Sequence, residues 1–251
     1  MIYFWFIFGA VIGSFLNVVI YRLPRGESIV FPPSRCPACG KRLLPQDLVP
    51  VLSFFLLRGK CRYCRDKISF RYPLVEFLTA SAFSFAWMAA GRDTVSFIFY
   101  IFLISVFIFI FFIDLEQQVI PDAVSAFGVV LGLIYNYLRG GFFPALAGMF
   151  LGYFLLYAIG RLGKLLFKKE AMGDGDPYVA ALLGANLGLS GVLLAVFLAY
   201  LLAAVVSLFL LASGRVKMGQ TIPFGPALVA GGIITLFWGD GILSWYGGMF
   251  L

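Results

Sequence analysis

The sequence predicts an all-α polytopic membrane protein of about eight transmembrane helices, carrying a small cytoplasmic zinc-ribbon-like subdomain built on four cysteines. Three observations lead there. Hydrophobic residues fill 62% of the 251 positions and charged residues only 12%, whereas a soluble domain carries roughly a quarter charged residues. Apolar runs near the length of a membrane crossing, about 20 residues, recur along the chain. The basic residues are also unevenly placed: of 19 Lys and Arg, 11 lie between Arg22 and Arg71.

Taken in order, the first span covers 2–20. It opens MIYFWF, with no basic n-region and no small-residue cleavage site, so it reads as a retained helix and not a removed signal. Seven further runs cover 74–91, 95–113, 123–138, 142–162, 177–190, 191–212 and 224–247. The run over 177–190 is short and is interrupted by Gly184, Asn186 and Gly188. The positive-inside rule tests this layout. If residues 21–73 are cytoplasmic, the loops at 114–122, 163–176 and 213–223 share that side. Their borders add Arg161, Lys164, Lys168, Lys169, Arg215 and Lys217, making 17 of 19 basic residues inside and leaving only Arg92 and Arg139 outside. The expected organisation is therefore a first transmembrane helix (1–20), a cytoplasmic zinc-binding loop (21–73) and a seven-helix membrane core (74–251). The net charge of +7 follows from topology and contact with anionic membrane lipid, not from binding nucleic acid. Glycine pairs at spacing four (Gly9/Gly13, Gly128/Gly132, Gly148/Gly152, Gly184/Gly188) suit close helix packing. Asn17 continues the first of these stripes and either hydrogen-bonds between helices or lines a site.

All four cysteines fall in the 21–73 loop, as CPACGKRL from Cys36 and CRYCRD from Cys61, two C-x2-C pairs separated by 21 residues. Such pairs present thiolates to a single ion, and two of them complete a tetrahedral set. Cys36, Cys39, Cys61 and Cys64 are thus the candidate ligands of a structural Zn2+. Two disulfides or a redox pair are the alternatives, disfavoured in a reducing cytoplasm. A closed four-thiolate site leaves no position for substrate, which makes it scaffold. Between the pairs, VPVLSFFLLRGK is too short and too flanked by prolines to cross a membrane; it packs on the metal subdomain or lies against the bilayer.

Two further stretches carry chemistry: FFIDLEQQVIPD at 111–122 and AMGDGDPYVA at 171–180. Each sets an aspartate, Asp114 or Asp176, at the edge of an apolar run, where a charged carboxylate is costly. The chain has no histidine, so carboxylates are its leading acid–base groups. In the layout above, Asp114 ends the third span as the chain reaches the cytoplasm and Asp176 opens the sixth as it leaves, placing both at one face. A close pair of carboxyls shares a proton; the ionised member activates a water while the protonated one donates to a scissile carbonyl. Gly173 and Gly175 let the backbone bend into the span, and Pro177 suits the first turn of a helix whose dipole favours an anion at Asp176. Other readings stand beside this one. Asp114 alone can mark a helix end, Asp122 reads as an N-cap, Asp174 competes with Asp176, and Glu116 reads as solvated. At the level of function, an ion-coupled transporter or a non-catalytic membrane-anchored zinc module compete with the protease.

With these residues in place, the chain resembles the bacterial type IV prepilin peptidases, of the membrane-embedded GxGD aspartyl protease class. The resemblance spans nearly the whole length: GSFLNVVIYRLP at 13–24, the paired cysteine loop, LRGKCRYC at 57–64, ISFRYPLVE at 68–76, IDLEQQVIPD at 113–122, AMGDGD at 171–176 and IPFGPAL at 222–228. It implies catalytic roles for Asp114 and Asp176 and zinc ligation by Cys36, Cys39, Cys61 and Cys64. It further implies cleavage of the short basic leader of type IV prepilins or type II secretion pseudopilins, typically after a glycine. Methylation of the new N-terminal amine, usually of phenylalanine, would follow, with S-adenosylmethionine as donor. The implied location is the bacterial cytoplasmic (inner) membrane, multi-pass, with loop and active site facing the cytoplasm. Two positions depart from the family pattern: Tyr178, preceded by Pro177, stands where lysine is common, and Asp47 where asparagine is. No glycine-rich Rossmann fingerprint marks a methyl-donor pocket. Asn17, Glu27 and Glu76, near the cytoplasmic face, either contact such a donor or are structural.

Overall fold

The computed structural model describes residues 1–168, 172–217 and 220–248, with nothing said of the Phe167 side chain; Lys169 and Ala171, named above, lie outside. Among the described residues all extended regular structure is helical, as lipid demands: with no water to pair with, backbone N–H and C=O groups must satisfy one another within the segment. Among the described residues six helices are long and apolar enough to cross a membrane, and Asp122–Leu138 is a shorter apolar one. By contact the chain forms two compact units, Met1–Phe109 and Ile110–Leu251. The division expected from sequence, 1–20, 21–73 and 74–251, follows membrane topology, whereas the compact units follow packing.

In the first unit, α1 (Ile2–Arg22) packs along α3 (Arg71–Ala90). The seam is made of glycine. A Cβ on Gly9 would lie 2.8 Å from the Ala80 Cα and the Thr79 carbonyl oxygen, and one on Gly13 would lie 2.7 Å from the Glu76 Cα. One turn beyond Gly13, the Asn17 amide donates to the Tyr72 carbonyl across 3.1 Å, so its role here is an interhelical bond. At the other end Trp5 meets Trp87 and Phe97, with ring centroids 5.6 and 4.4 Å away. Between α1 and α3 runs the cysteine loop, in which VPVLSFFLLRGK forms only a tight turn and the short helix α2 (Leu52–Leu56). It is no span, as the prolines and length required. Helix α4 (Thr94–Gln117) carries the most apolar and most deeply buried sequence of all the spans.

The second unit takes the last turns of α4, then α5 (Asp122–Leu138), α6 (Phe142–Phe167), α7 (Asp176–Ala212) and α8 (Gly225–Gly248). The decisive feature is inside α7. Gly188 leaves helical geometry (φ 72°, ψ −171°), a backbone region open to glycine alone. A Cβ on Gly152 of α6 would touch both the Ala180 carbonyl oxygen and Cγ2 of Val192, while one on Gly148 would touch Gly184 and Gly188. In a straight helix Ala180 and Val192 would stand about 18 Å apart. The chain therefore folds back at Gly188, and both arms of α7 lie along α6, the first antiparallel to it and the second parallel. The two apolar runs expected at 177–190 and 191–212 are these arms, with the boundary at Gly188 and not at 190. Counting the arms separately, each of the eight apolar runs has its helix.

The same small-residue chemistry seals the other contacts. Cβ atoms at Gly148, Gly152 and Gly184 would overlap facing backbone. On α5, Gly132 gives way to the Asn186 amide, which donates to the Gly128 and Leu182 carbonyls at 3.1 and 2.7 Å. Gly231 of α8 sits against the backbone of Ala195 and Ala199 in the second arm.

Candidate active site and metal centre

Asp114 is not the last residue of its span: α4 continues through Gln117, so the carboxyl projects from the penultimate stretch of an intact helix. Its residue is only 5% exposed, and Oδ2 accepts the Gly225 N–H at 2.8 Å. That donor is the first residue of α8, delivered by the PFG turn. Asp176 is the first residue of α7 and 4% exposed, and its Oδ2 accepts the Gly173 N–H at 3.1 Å. The glycines of GDGD act as the sequence suggests in part: Gly173 supplies a donor, and Gly175 lets the chain approach Ile120, whose Cβ would lie 2.9 Å from an added methyl. The two carboxyls lie close enough for their charges to interact. They do not hydrogen-bond to each other among the described residues. Each has its own backbone donor on Oδ2.

Three helices begin at this end of the second unit: α5 at Asp122, α7 at Asp176 and α8 at Gly225. Their positive dipole ends converge on the carboxyls and favour negative charge there. Tyr200 belongs to the same neighbourhood. It lies as many residues beyond Gly188 as Asp176 lies before it, so the fold-back sets the two level; it interacts electrostatically with Asp176 and its ring lies 4.9 Å from Phe224. Neither Gly225 nor Tyr200 was assigned a role from sequence. The IPFGPAL motif signalled the first, but nothing local signals the second, because its position depends on the reversal at Gly188. Asp122 opens α5 without side-chain capping, while Asp174 and Glu116 are exposed.

In the first unit the four cysteines meet. Their Sγ atoms all lie within 4.8 Å of one another, and Cys36 and Cys64 are separated by 3.9 Å. A tetrahedron with metal–sulfur bonds of about 2.3 Å has edges of about 3.8 Å, so the set draws in by at most about 1 Å around one thiolate-bound cation. The two knuckles repeat with an offset of 25 residues (61 − 36 and 64 − 39). Cys36 and Cys61 donate to the Lys41 and Asp66 carbonyls, Gly40 and Arg65 donate back to Cys36 and Cys61, and bridges join Arg35 to Arg42 and Lys60 to Lys67. The left-handed position is Gly40 in the first knuckle (φ 70°) and Arg65 in the second (φ 65°). Backbone N–H groups of Cys64 and Tyr63 draw the Cys61 thiol down to about 7. At Cys64 the Asp66 N–H favours the thiolate, but desolvation and the hydrogen bonds to Cys61, Cys39 and Cys36 push it up to about 12. Four such thiols ionise together only around a cation.

Asp47 ties the knuckles. It accepts from Arg62 Nε at 2.6 Å, Tyr63 Oη at 3.1 Å and the Leu44 N–H at 3.1 Å. Burial opposes its charge, and the Arg62 guanidinium with the other two donors outweighs it, holding the carboxyl below the usual range. Beside it, Pro50–Val51–Leu52 forms a γ-turn of the rarer positive-φ kind (Val51 φ 62°, ψ −52°; Leu52 N to Pro50 O 2.6 Å). The Val51 N–H is held by the buried Glu76 carboxyl at 2.7 Å, so Glu76 fastens the cysteine loop to α3.

A helical membrane unit with two buried carboxyls at one end, in a chain that also carries a four-cysteine cluster, defines a polytopic membrane protein equipped for acid–base chemistry. Residues 7–90 match the Bacterial Peptidase A24 N-terminal domain and residues 101–208 the Type IV leader peptidase family. Similar along nearly the whole length are prepilin leader peptidase/N-methyltransferases from Aeromonas salmonicida (35% identical; 96% of this chain, 92% of the relative), Pseudomonas putida (37%; 95% and 91%) and Neisseria gonorrhoeae (36%; 96% and 92%). The chain belongs to the type IV leader peptidase family. No solved structure matches it.

Proposed function

We propose that this protein is a prepilin leader peptidase and N-methyltransferase of a bacterial inner membrane, with Asp114 and Asp176 as its catalytic dyad. The observation that carries the dyad is their convergence at one end of the second unit, each buried and each with a backbone donor, in a chain of this family. One carboxylate takes a proton from water as the water's oxygen bonds to the scissile carbonyl carbon, while the other, protonated, donates to the carbonyl oxygen. The tetrahedral diol then returns one hydroxyl proton to the second carboxylate as the C–N bond breaks, and the leaving amine is protonated by the first carboxyl. No histidine, metal or covalent intermediate is required. Methylation of the new N-terminus rests on the relatives' shared activity, with S-adenosylmethionine as the methyl-donating co-substrate.

Orientation follows from charge. Arg161, Lys164, Arg215 and Lys217 flank the helix ends on the dyad side, and Arg139 lies at the opposite end. The positive-inside rule then puts the dyad and the cysteine loop (21–73) in the cytoplasm, where a basic leader would wait, and leaves the basic residues to anionic lipid and topology and not to nucleic acid. The four thiolates are assigned to a structural Zn2+, the ion that favours a closed sulfur tetrahedron. A transporter reading predicts acids near the bilayer midplane, whereas these lie at helix ends; a purely binding zinc module leaves both aspartates without a purpose.

The test is incubation of the purified protein with a full-length prepilin in detergent, with mass spectrometry of the product N-terminus with and without S-adenosylmethionine. Cleavage is lost separately in Asp114→Asn and Asp176→Asn, and the methyl group appears only with the donor. Intact cleavage in either variant sinks the dyad.

A further inference from the structure

We infer that the Tyr200 hydroxyl is a further catalytic group, donating a hydrogen bond to the scissile carbonyl oxygen as the tetrahedral species forms; this rests on the peptidase reading above. Helix α7 carries two tyrosines, Tyr178 and Tyr200. Tyr178 stands two residues from Asp176, yet its hydroxyl is bonded to that of Tyr153. Tyr200 is far from either aspartate along the chain. It reaches the pair only through the reversal at Gly188, which lies 12 residues from Asp176 and 12 from Tyr200.

Two contacts set Tyr200 beside both carboxyls. Its ring centroid lies 4.9 Å from that of Phe224, the residue bonded to Gly225, whose N–H holds Oδ2 of Asp114 at 2.8 Å. It also lies close enough to Asp176 to interact with its charge. Ring and hydroxyl are therefore separable. The ring packs on the turn that starts α8, where the Phe224 carbonyl accepts from the Ala227 and Leu228 N–H groups at 3.0 and 3.1 Å. The hydroxyl makes no hydrogen bond among the described residues. Tyr200 is 37% exposed, so a substrate can reach it. Tyrosine hydroxyls held in apolar surroundings ordinarily find a partner.

The acceptor follows from the chemistry of the pair. A carbonyl attacked there stands within reach of both carboxyls, and hence beside Tyr200. The N–H groups of Gly225 and Gly173 are engaged on the carboxyl Oδ2 atoms and are not aimed at that carbonyl. Its oxygen gains negative charge as water adds to the carbon, so a donor already in place strengthens most in the transition state. A phenol ordinarily ionises at about pH 10 and is a donor at neutral pH. It keeps its proton throughout: the proton transferred to the carbonyl oxygen still comes from the protonated carboxyl, and the proton balance of the mechanism is unchanged.

The experiment is leader release from a full-length prepilin in detergent, with kcat and KM measured across the pH range. Tyr200→Phe keeps the ring on Phe224 and removes only the hydroxyl. It lowers kcat by between about tenfold and about a hundredfold at every pH, with KM within about twofold of wild type and thermal unfolding unchanged. p-Aminophenylalanine at position 200 keeps a donor in the same place and recovers most of the loss. O-Methyltyrosine there keeps the oxygen without the proton and recovers none; equal recovery by the two overturns the donor role. Tyr3→Phe, at a residue 81% exposed in the first unit, leaves cleavage unchanged. Turnover by Tyr200→Phe within about twofold of wild type overturns the role, as does a raised KM with kcat intact, which marks a ground-state contact alone. A loss confined to one limb of the pH profile also overturns it, because the hydroxyl then acts through the charge of Asp176. Wild-type protein that does not cleave overturns the peptidase reading and this role together, whereas active wild type matched by Tyr200→Phe overturns this role alone.

Discussion

Replacing Gly225 by alanine tests the active-site geometry without touching a carboxyl. The added Cβ would lie 2.6 Å from Oδ2 of Asp114, 3.0 Å from its Cγ and 3.1 Å from its Cβ, against an ordinary contact beginning at 3.4 Å. Asp114 or the start of α8 must therefore retreat by about 0.8 Å (3.4 − 2.6). The 2.8 Å hydrogen bond from the Gly225 N–H is then stretched beyond useful length. A hydrogen bond to a charged group contributes about 1.5–3 kcal/mol, and each ~1.4 kcal/mol of transition-state stabilisation is tenfold in rate. Gly225→Ala is expected to lower kcat/KM for prepilin cleavage by between about tenfold and about a hundredfold. The control lies on the same helix: a Cβ on Gly241 meets nothing within 4 Å. Gly241→Ala should leave cleavage unchanged and stability equal or higher by up to about 1 kcal/mol, from helix propensity alone. The assay is the initial rate of leader release in detergent, with thermal unfolding of each variant alongside. A folded Gly225→Ala protein that cleaves within about twofold of wild type would refute the role given to that N–H, since even the weakest such bond predicts more.

Other expectations are simpler. Cys36→Ser should release the metal, about one zinc per chain by elemental analysis, and lower the melting temperature; retention of both zinc and stability would remove the scaffold role. Glu76→Ala leaves the Val51 N–H without its acceptor and should cost about 1–3 kcal/mol by thermal unfolding, whereas Glu76→Gln, which keeps an acceptor oxygen, should cost less. Arg65→Gly should raise the melting temperature of the metal-bound protein, because arginine occupies a left-handed position (φ 65°) where glycine is unstrained; about 1 kcal/mol is at stake.

Legibility varied with how local the signal was. The spans were readable because a lipid-solvated helix must be apolar nearly throughout, and the cysteine set because two knuckles declare themselves by spacing. Asp114 and Asp176 were readable as exceptions to that apolar rule. The Gly225 donor was not, because a backbone N–H has no side-chain signature; only its motif was visible. The 25-residue repeat of the knuckles was obscured by sequence, since Arg65 stands where Gly40 marks the first turn. Asp47 looked like a departure from a pattern, and its meaning lies in Arg62, fifteen residues away. Glu76 was legible only as a group near the cytoplasmic face, either a methyl-donor contact or structural; burial and the Val51 N–H show a structural clamp.

The reversal at Gly188 has the widest reach of any single residue. Helices α5 and α8 both begin at the dyad end, and a chain that crossed a layer once along α7 would deliver α8 to the far end instead. Folding back halfway restores the parity: the second arm of α7 returns past Tyr200 to Ala212, and the next turn can place Gly225 against Asp114. The same reversal sets Tyr200 level with Asp176 and presses both arms on the glycines of α6. The short first arm, interrupted by small residues and too brief for an independent span, is therefore not a weak helix but the requirement of a site assembled from three helix starts. A side chain at Gly188 would meet no serious clash, its nearest neighbours being Pro144 atoms at 3.9 and 4.0 Å. What excludes it is φ alone, so the parity of the whole unit rests on one backbone angle.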